Sequence, residues 1–380
     1  MSLPRLEADL GKIGHNARTL AGRLSGRGIG VTGVIKAMLG APEVARTLID
    51  AGVTSIGDAR IENLESLRRA GIDARMVLIR SPMISQAARV VATAEASFNT
   101  EPDVLTALSE AADALGTVHE VILMVELGDL REGIMPDDLD DVVDMVLRLS
   151  GLRLVGLGTN LACRSGVVPD ATKMAELSAL TAHVEQSFGI DLPVVSGGNS
   201  GNLDGALGTD ELGRINDLRL GESVLLGREP LHRRSIPGLH DDAITIVAEV
   251  IESKLKPTVP WGEIAQGAFG EVDTAADRGM IVQSILAIGR QDVDPDGLNP
   301  PPDTEILSAS SDHLVIATPE LRPIGSTVAF APNYSALLRA MTSPFVTPVW
   351  RLPGDRSTVP SGDSSPRAPG PARSHCHEAS

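Results

Sequence analysis

Between residues 30 and 220 the apolar positions come in short β-rich runs, each followed by a stretch whose apolar residues recur at helical spacing. GVTGVIKA precedes APEVARTLIDAG, TSIGDAR precedes IENLESLRRAG, and ARMVLIR precedes SQAARVVATA. EASFNT, EVILMVEL, RLVGLGTN, LPVVSGGN and DLRLGESV continue the series, with helices such as DDLDDVVDMVLRLSG and TKMAELSALTAHVEQSFG between them. The pattern predicts eight β/α units, the first carrying Lys36. Eight is the number at which a parallel sheet closes into a barrel; an open, doubly wound sheet is the alternative.

After about residue 234 the texture changes. ITIVAEVIESKLKPTVPWGEIAQ, DRGMIVQSILAIGRQDV, TEILSASSDHLVIATP and STVAFAPN read as strands separated by Pro, Gly and Asp turns. The expected organisation is a (β/α)8 TIM-like barrel over residues 1–233 and a smaller antiparallel β domain over 234–352. The N-terminal run LPRLEADL precedes the barrel, and residues 1–10 are free to pair with the β domain. Residues 353–380 are Pro/Ser/Gly-rich without apolar periodicity, which predicts a disordered tail.

Composition narrows the function. Hydrophobic residues at 42% and charged residues at 22% are ordinary for a globular protein, so the chain can bury a large core. A formal net charge of -17 argues against nucleic acid as a partner and suits a cationic substrate. No window of about 18 apolar residues occurs and MSLPRLEADLGKIGHN lacks a signal-peptide core, so no membrane association and a cytoplasmic location are expected. The two cysteines, Cys163 and Cys376, offer neither a disulfide framework nor a CxxC site, and the HCH triplet of the tail lacks further spaced ligands. No metal is expected.

In a β/α barrel the chemistry gathers where each strand hands over to its loop. Lys36 ends the first such strand among Val34, Ile35, Ala37 and Met38, where desolvation favours the free amine that forms a Schiff base. A lysine that merely snorkels out of the barrel mouth is the structural alternative. VVSGGNSGN (194–202) offers glycines, Asn199 and Ser200 at the end of a late strand, a place suited to an anion such as phosphate. LRLGESVLLGR (218–228) adds Arg219 and the backbone donors of Gly221. A Schiff-base lysine, phosphate donors and an arginine near a ring together describe a pyridoxal-phosphate site.

With VIKAM around Lys36, GDARIENL (57–64), VELGDLREG (125–133), LPVVSGGNS (192–200), LRLGESVLLGRE (218–229), ILAIGRQDVD (285–294) and ASSDHLV (309–315), the chain resembles the alanine racemase family of pyridoxal-phosphate enzymes, most closely its ornithine racemase branch. The resemblance covers nearly everything but the tail. It implies that Lys36 carries pyridoxal 5'-phosphate and moves a proton on one face of the α-carbon. It implies that Arg219 faces the pyridine nitrogen and that Ser196, Asn199, Ser200, Gly221 and Glu222 belong to the cofactor cradle. Arg131 would lie near the cofactor hydroxyl and substrate carboxylate, and Asn160 would take the place of a ring-side histidine. On the substrate side stand Arg131, Ser311, Asp312 and Asp292.

The departures are informative. Where alanine racemases carry a phosphate-binding tyrosine soon after the lysine, this chain has Gly40; where they often have a modified lysine, it offers Met124 and Glu126. The segment matching their second base, GEIAQGAFGE (262–271), holds no tyrosine, and the chain has one tyrosine in all, Tyr334. Tyr334 is therefore the first candidate for the second acid/base, with Asp312 and His313 behind it. Glu263, Asp292 and Asp294 are the acidic candidates for a cationic side chain. The expected activity is racemisation of a free amino acid, ornithine first, by a head-to-tail homodimer with a shared active site. Racemisation of alanine, lysine or serine, decarboxylation of a basic amino acid and a non-catalytic pyridoxal-phosphate carrier are the alternatives.

Overall fold

The computed structural model describes residues 3–267, 269–270 and 276–352. Strand β1 (Arg5–Asp9) is followed by helix α1 (Leu10–Ser25), whose first turn is capped by the Asp9 carboxylate accepting from the Lys12 amide at 3.0 Å. Eight parallel strands then alternate with helices: β2 (Gly30–Val34), α2 (Pro42–Asp50), β3 (Ser55–Asp58), α3 (Ile61–Arg69), β4 (Met76–Leu78), α4 (Ala87–Thr93), β5 (Ala96–Asn99) and α5 (Pro102–Leu115). The series continues through β6 (His119–Met124), α6 (Leu139–Leu147), β7 (Leu152–Gly158), α7 (Ala171–Phe188), β8 (Val194–Asn199), α8 (Leu203–Leu207), β9 (Asp217–Leu220) and α9 (Glu222–Leu226). Strands β2 to β9 close into a barrel, β9 pairing with β2 from Gly30↔Asp217 to Gly33↔Leu220.

Both faces of these strands are buried, which is why they read as nearly unbroken apolar runs. Along β6, Ile122 and Met124 join Val77, Ala96, Phe98 and Val155 in a plug, whereas Val121 and Leu123 belong to the larger core that includes the helices. The alternation follows from the two-residue period of a strand.

The second sheet is antiparallel apart from one pair. Its strands are β10 (Ile244–Pro257), β11 (Met280–Leu286), β12 (Leu298–Asn299), β13 (Glu305–Ala309), β14 (Leu314–Thr318), β15 (Thr327–Pro332) and β16 (Thr347–Arg351); the first six stand in the order β12-β15-β10-β11-β14-β13, and β16 lies off that path. Strand β1 adds to this sheet, antiparallel to β10 (Leu6↔Ile246) and parallel to β16 (Leu6↔Pro348). Ion pairs from Glu7 to Arg5 and Arg351 tie that corner together.

Three features depart from the pattern reading. TEILSASSDHLVIATP is a hairpin of β13 and β14, turned at Ser310–His313. A helix, α10 (Tyr334–Thr342), interrupts the β region; Asn333 caps it by accepting from the Ala336 amide at 2.9 Å. Strand β2 ends at Val34, so Lys36 stands beyond it, opening a single helical turn over Lys36–Met38. The predicted tail and its HCH triplet lie outside the described residues.

Candidate active site

A cavity of about 460 Å³ opens where the barrel strands end. Lys36, Asn160, Asn199, Ser200, Arg219 and Gly221 line it, and Tyr334 reaches it from α10, which packs on the Lys36–Met38 turn. Arg131 and Glu222 complete the set of sequence-predicted residues found in its wall.

The Gly197–Gly198 pair explains how β8 delivers Asn199 and Ser200. Pairing between β8 and β9 shifts register between Ser196 and Asn199. Gly198 has φ +105°, and a Cβ on Gly197 would stand 2.5 Å from Ile215 Cγ2. Only glycines fit this bulge. Beyond it, the Asn199 carboxamide accepts from the Gly201 amide at 2.7 Å, and Ser200 Oγ meets Ser223 Oγ at 2.9 Å at the start of α9. The first-turn amides of a helix have no intrahelical acceptors, so this corner is rich in donors.

Arg219 is buried to 5% exposure with its guanidinium 4.7 Å above the centroid of the Phe98 ring, on top of the barrel plug. It donates to Ser196 Oγ at 2.6 Å and to the Thr159 carbonyl at 2.7 Å. Ser196, expected in the cradle, is not in the cavity wall. It is fully buried and donates to Asp217, and so positions Arg219 from behind. Burial pulls the arginine below its ordinary value, opposed first by Asp217, yet an arginine keeps its proton at any working pH.

Burial also lowers the Lys36 pKa; Arg131 and Arg219 add to that effect, while Cys163 and Asp58 oppose it. The Tyr334 phenol is raised, first by burial and then by the charge of Glu222. Glu222 is itself raised by burial against the pull of Arg233, to which it is hydrogen-bonded.

The remaining expected residues are not brought to this cavity. Ser311, Asp312 and His313 lie on the β13–β14 turn, where His313 Nδ1 and Asp312 Oδ1 form an exposed pair at 2.8 Å. Asp292 is buried, accepting from Ser343 Oγ at 2.9 Å and from the Gly289 amide at 3.3 Å. Those bonds tie it into the fold away from the wall of this cavity. Asp294 accepts from Ser335 Oγ and caps the turn Pro295–Gly297. Glu263 is exposed outside the cavity.

The sequence reading missed Arg80, Glu132, Cys163 and Arg233, all in the wall, and Asp58 next to it. Arg80 ends the run ARMVLIR, so the strand-end logic that found Lys36 applies to it equally. Asp58 has no exposed surface; its Oδ1 accepts from the Arg60 amide and from Asn63, while its Oδ2 has no partner. Burial pushes this carboxyl up to about 6.

The wall fits a planar, anionic cofactor with an acceptor nitrogen. The buried Nδ2 of Asn160 has no acceptor, and the neighbouring groups are an amine, a fixed guanidinium and the donor-rich corner at Ser200. Gly40 has φ +65°, and a Cβ there would lie 2.7 Å from Asn63 Cβ, so a larger residue at this position would be strained and crowded. Among the described residues no group of three His, Cys, Asp or Glu side chains could hold a metal, and no helix is long and apolar enough to cross a membrane.

The chain is similar to proteins of one family over most of its length. The family model "Alanine racemase, N-terminal domain" matches residues 8–227. A lysine racemase of Thermotoga maritima is 37% identical over 354 residues, covering 92% of this chain and 99% of that protein. An ornithine racemase of Acetoanaerobium sticklandii is 36% identical over 349 residues, covering 90% and 98%. The crystal structure of an alanine racemase from Streptomyces lavendulae superposes with TM-score 0.72 at 18% identity, covering 92% of this chain and 97% of that one, a likeness of fold.

Proposed function

Because this chain belongs to the alanine racemase family, we propose that it interconverts the L and D forms of a free basic amino acid, ornithine first and lysine next, using pyridoxal 5'-phosphate. Family membership supports the cofactor and amino-acid racemisation in general. The choice of substrate leans on relatives spanning nearly the whole chain that are a lysine and an ornithine racemase, and on a chain whose net charge is -17.

The observation that carries the reading is the half-buried amine of Lys36 in one cavity with the fixed guanidinium of Arg219 and the unpaired Nδ2 of Asn160. When bound, pyridoxal phosphate supplies a carbonyl that an amine can add to and a ring that acidifies the substrate's α-C–H bond. Lys36 would hold it, and with its pKa lowered by burial it is suited to take up and return the α-proton on one face. Arg219, unable to give up a proton, would leave a facing ring nitrogen unprotonated, which favours simple proton exchange over transamination. Ser200 with the amides of Gly221 and Glu222 would receive the phosphate, and Asn160 would turn its free N–H to the ring. The second face needs its own acid/base. Tyr334 is the candidate within the cavity; Asp312 and His313, exposed on the β13–β14 turn, would act in the site of a head-to-tail partner.

The test is proton NMR of the cofactor-loaded protein with L-ornithine or L-lysine in heavy water, followed by chiral chromatography. Loss of the α-proton signal with appearance of the D enantiomer is expected. Exchange confined to alanine or serine would move the substrate assignment, and cofactor uptake without exchange on any amino acid would overturn the function.

A further inference from the structure

Five cationic side chains line the cavity: Lys36, Arg80, Arg131, Arg219 and Arg233. Four have work already. Lys36 is the amine of the proposed chemistry. Arg219 is tied to Ser196 and Thr159. Arg233 is hydrogen-bonded to Glu222, and Arg131 is gripped through both Nε and Nη2 by the carboxylate of its neighbour Glu132. The charge of Arg131 is thereby neutralised, and one of its two forked edges is closed.

Arg80 differs: its guanidinium, partly exposed in the wall, has neither a hydrogen bond nor an ion pair with any described residue. It follows β4, and Ser200 follows β8, four strands away around a ring of eight. Arg80 thus faces the phosphate corner from across the barrel mouth. Arg131 follows β6, midway around the ring between the two. An open guanidinium fork in a cavity suits a planar carboxylate, which it can hold through two parallel hydrogen bonds.

We infer that Arg80 grips the α-carboxylate of the amino-acid substrate, the contact that the sequence resemblance assigns to Arg131. This rests on the racemase reading. A racemase must accept both enantiomers at one α-carbon, and a single carboxylate anchor serves both.

The test compares each amino acid with the diamine that lacks its carboxylate: L-ornithine with putrescine, or L-lysine with cadaverine. Binding to the pyridoxal-phosphate-loaded protein is read from the cofactor absorbance at equilibrium, and cofactor affinity from fluorescence titration of the cofactor-free protein. Arg80→Gln should weaken amino-acid binding about 10- to 100-fold, the usual range for losing a charged hydrogen-bonded pair, and leave diamine and cofactor affinities unchanged. Arg80→Lys should recover part of the loss, since it keeps the charge without the fork. Equal weakening of amino acid and diamine, or weakened cofactor binding, would overturn the assignment. A parent protein that exchanges no α-proton of any amino acid sinks both readings; a parent that racemises while Arg80→Gln matches it sinks only this one.

Discussion

The Arg219 guanidinium donates to Ser196 Oγ at 2.6 Å while that hydroxyl donates to Asp217, which also accepts from Thr32 at 2.7 Å. The arginine is therefore aimed by a buried relay that never reaches the cavity. Ser196→Ala removes one acceptor from a buried charge, so Arg219 should lose its fixed orientation. The expected result is about 10-fold weaker cofactor uptake, from the one to two kcal/mol typical of such a loss, with the fold retained by circular dichroism. Asp217→Asn should act in the same direction; unchanged uptake in both variants would detach the relay from the site.

Lys36→Ala tests the centre of the assignment. The variant should fail to retain cofactor through borohydride reduction and should lose racemisation by about a thousandfold or more, the scale of a lost acid/base group together with its covalent attachment. Peptide mass spectrometry on the reduced parent should find the pyridoxyl mass on Lys36. Its appearance on another lysine would redirect the site.

Asp58 makes stability depend on pH. Its native pKa of about 6 exceeds the ordinary 3.8, so between those values the native state binds more protons than the unfolded chain and stability falls as pH rises. Asp58→Asn lacks this titration. Its stability relative to the parent should rise from about pH 4 to about pH 6 and then level off, the span being roughly 2–3 kcal/mol at 1.36 kcal/mol per unit. Denaturant melts of the cofactor-free protein at several pH values measure it, and a flat difference would deny the shift. The Asn amide placed where Oδ2 lacks a partner adds an offset that does not change with pH.

Much of this site was legible because barrel chemistry follows strand ends, and strand ends can be read from where apolar runs stop. Lys36, Asn160, Ser200 and Arg219 were found in that way or through their motifs. A polar residue in a motif does not announce whether it faces the cavity or a neighbour: Ser196 accepts from Arg219, and Asp292 accepts from Ser343. The helix that presents Tyr334 was hidden by its place among strands, since YSALLRAMT is too short for its period to stand out. Arg80 was within reach of the same strand-end reading, since it ends ARMVLIR; what the sequence withheld is that Glu132 pairs with Arg131 while Arg80 stays open, because which charges meet is a property of the fold.

The glycines of β8 carry a prediction about stability. Gly197→Ala would put a methyl within 2.5 Å of Ile215 Cγ2, and overpacking of that kind costs about 1–3 kcal/mol. Ile215→Ala in the same chain should return part of the loss, a coupling that a double-mutant cycle resolves. Gly198→Ala should cost about as much through its φ of +105°, and no substitution at Ile215 should relieve it. Rescue of both by the same change would mean that crowding alone, and not backbone conformation, selects glycine here.

The second acid/base separates two arrangements of the molecule. Tyr334 enters from the helix packed on the Lys36–Met38 turn, and burial holds its proton firmly. If it serves the second face, Tyr334→Phe should abolish inversion while leaving Lys36 to exchange the α-proton of one enantiomer with solvent deuterium. If the exposed Asp312–His313 pair serves a partner's site, that half-reaction should appear instead in an Asp312→Asn, His313→Gln double variant. Mixing that variant with Lys36→Ala should then restore activity, because a mixed dimer contains one site with both groups intact. Random re-pairing makes half of all dimers mixed, each with one working site of two, so about a quarter of the parent activity is expected when subunits exchange freely. Loss of inversion in Tyr334→Phe, with no recovery on mixing, would assign the second proton to the chain's own cavity.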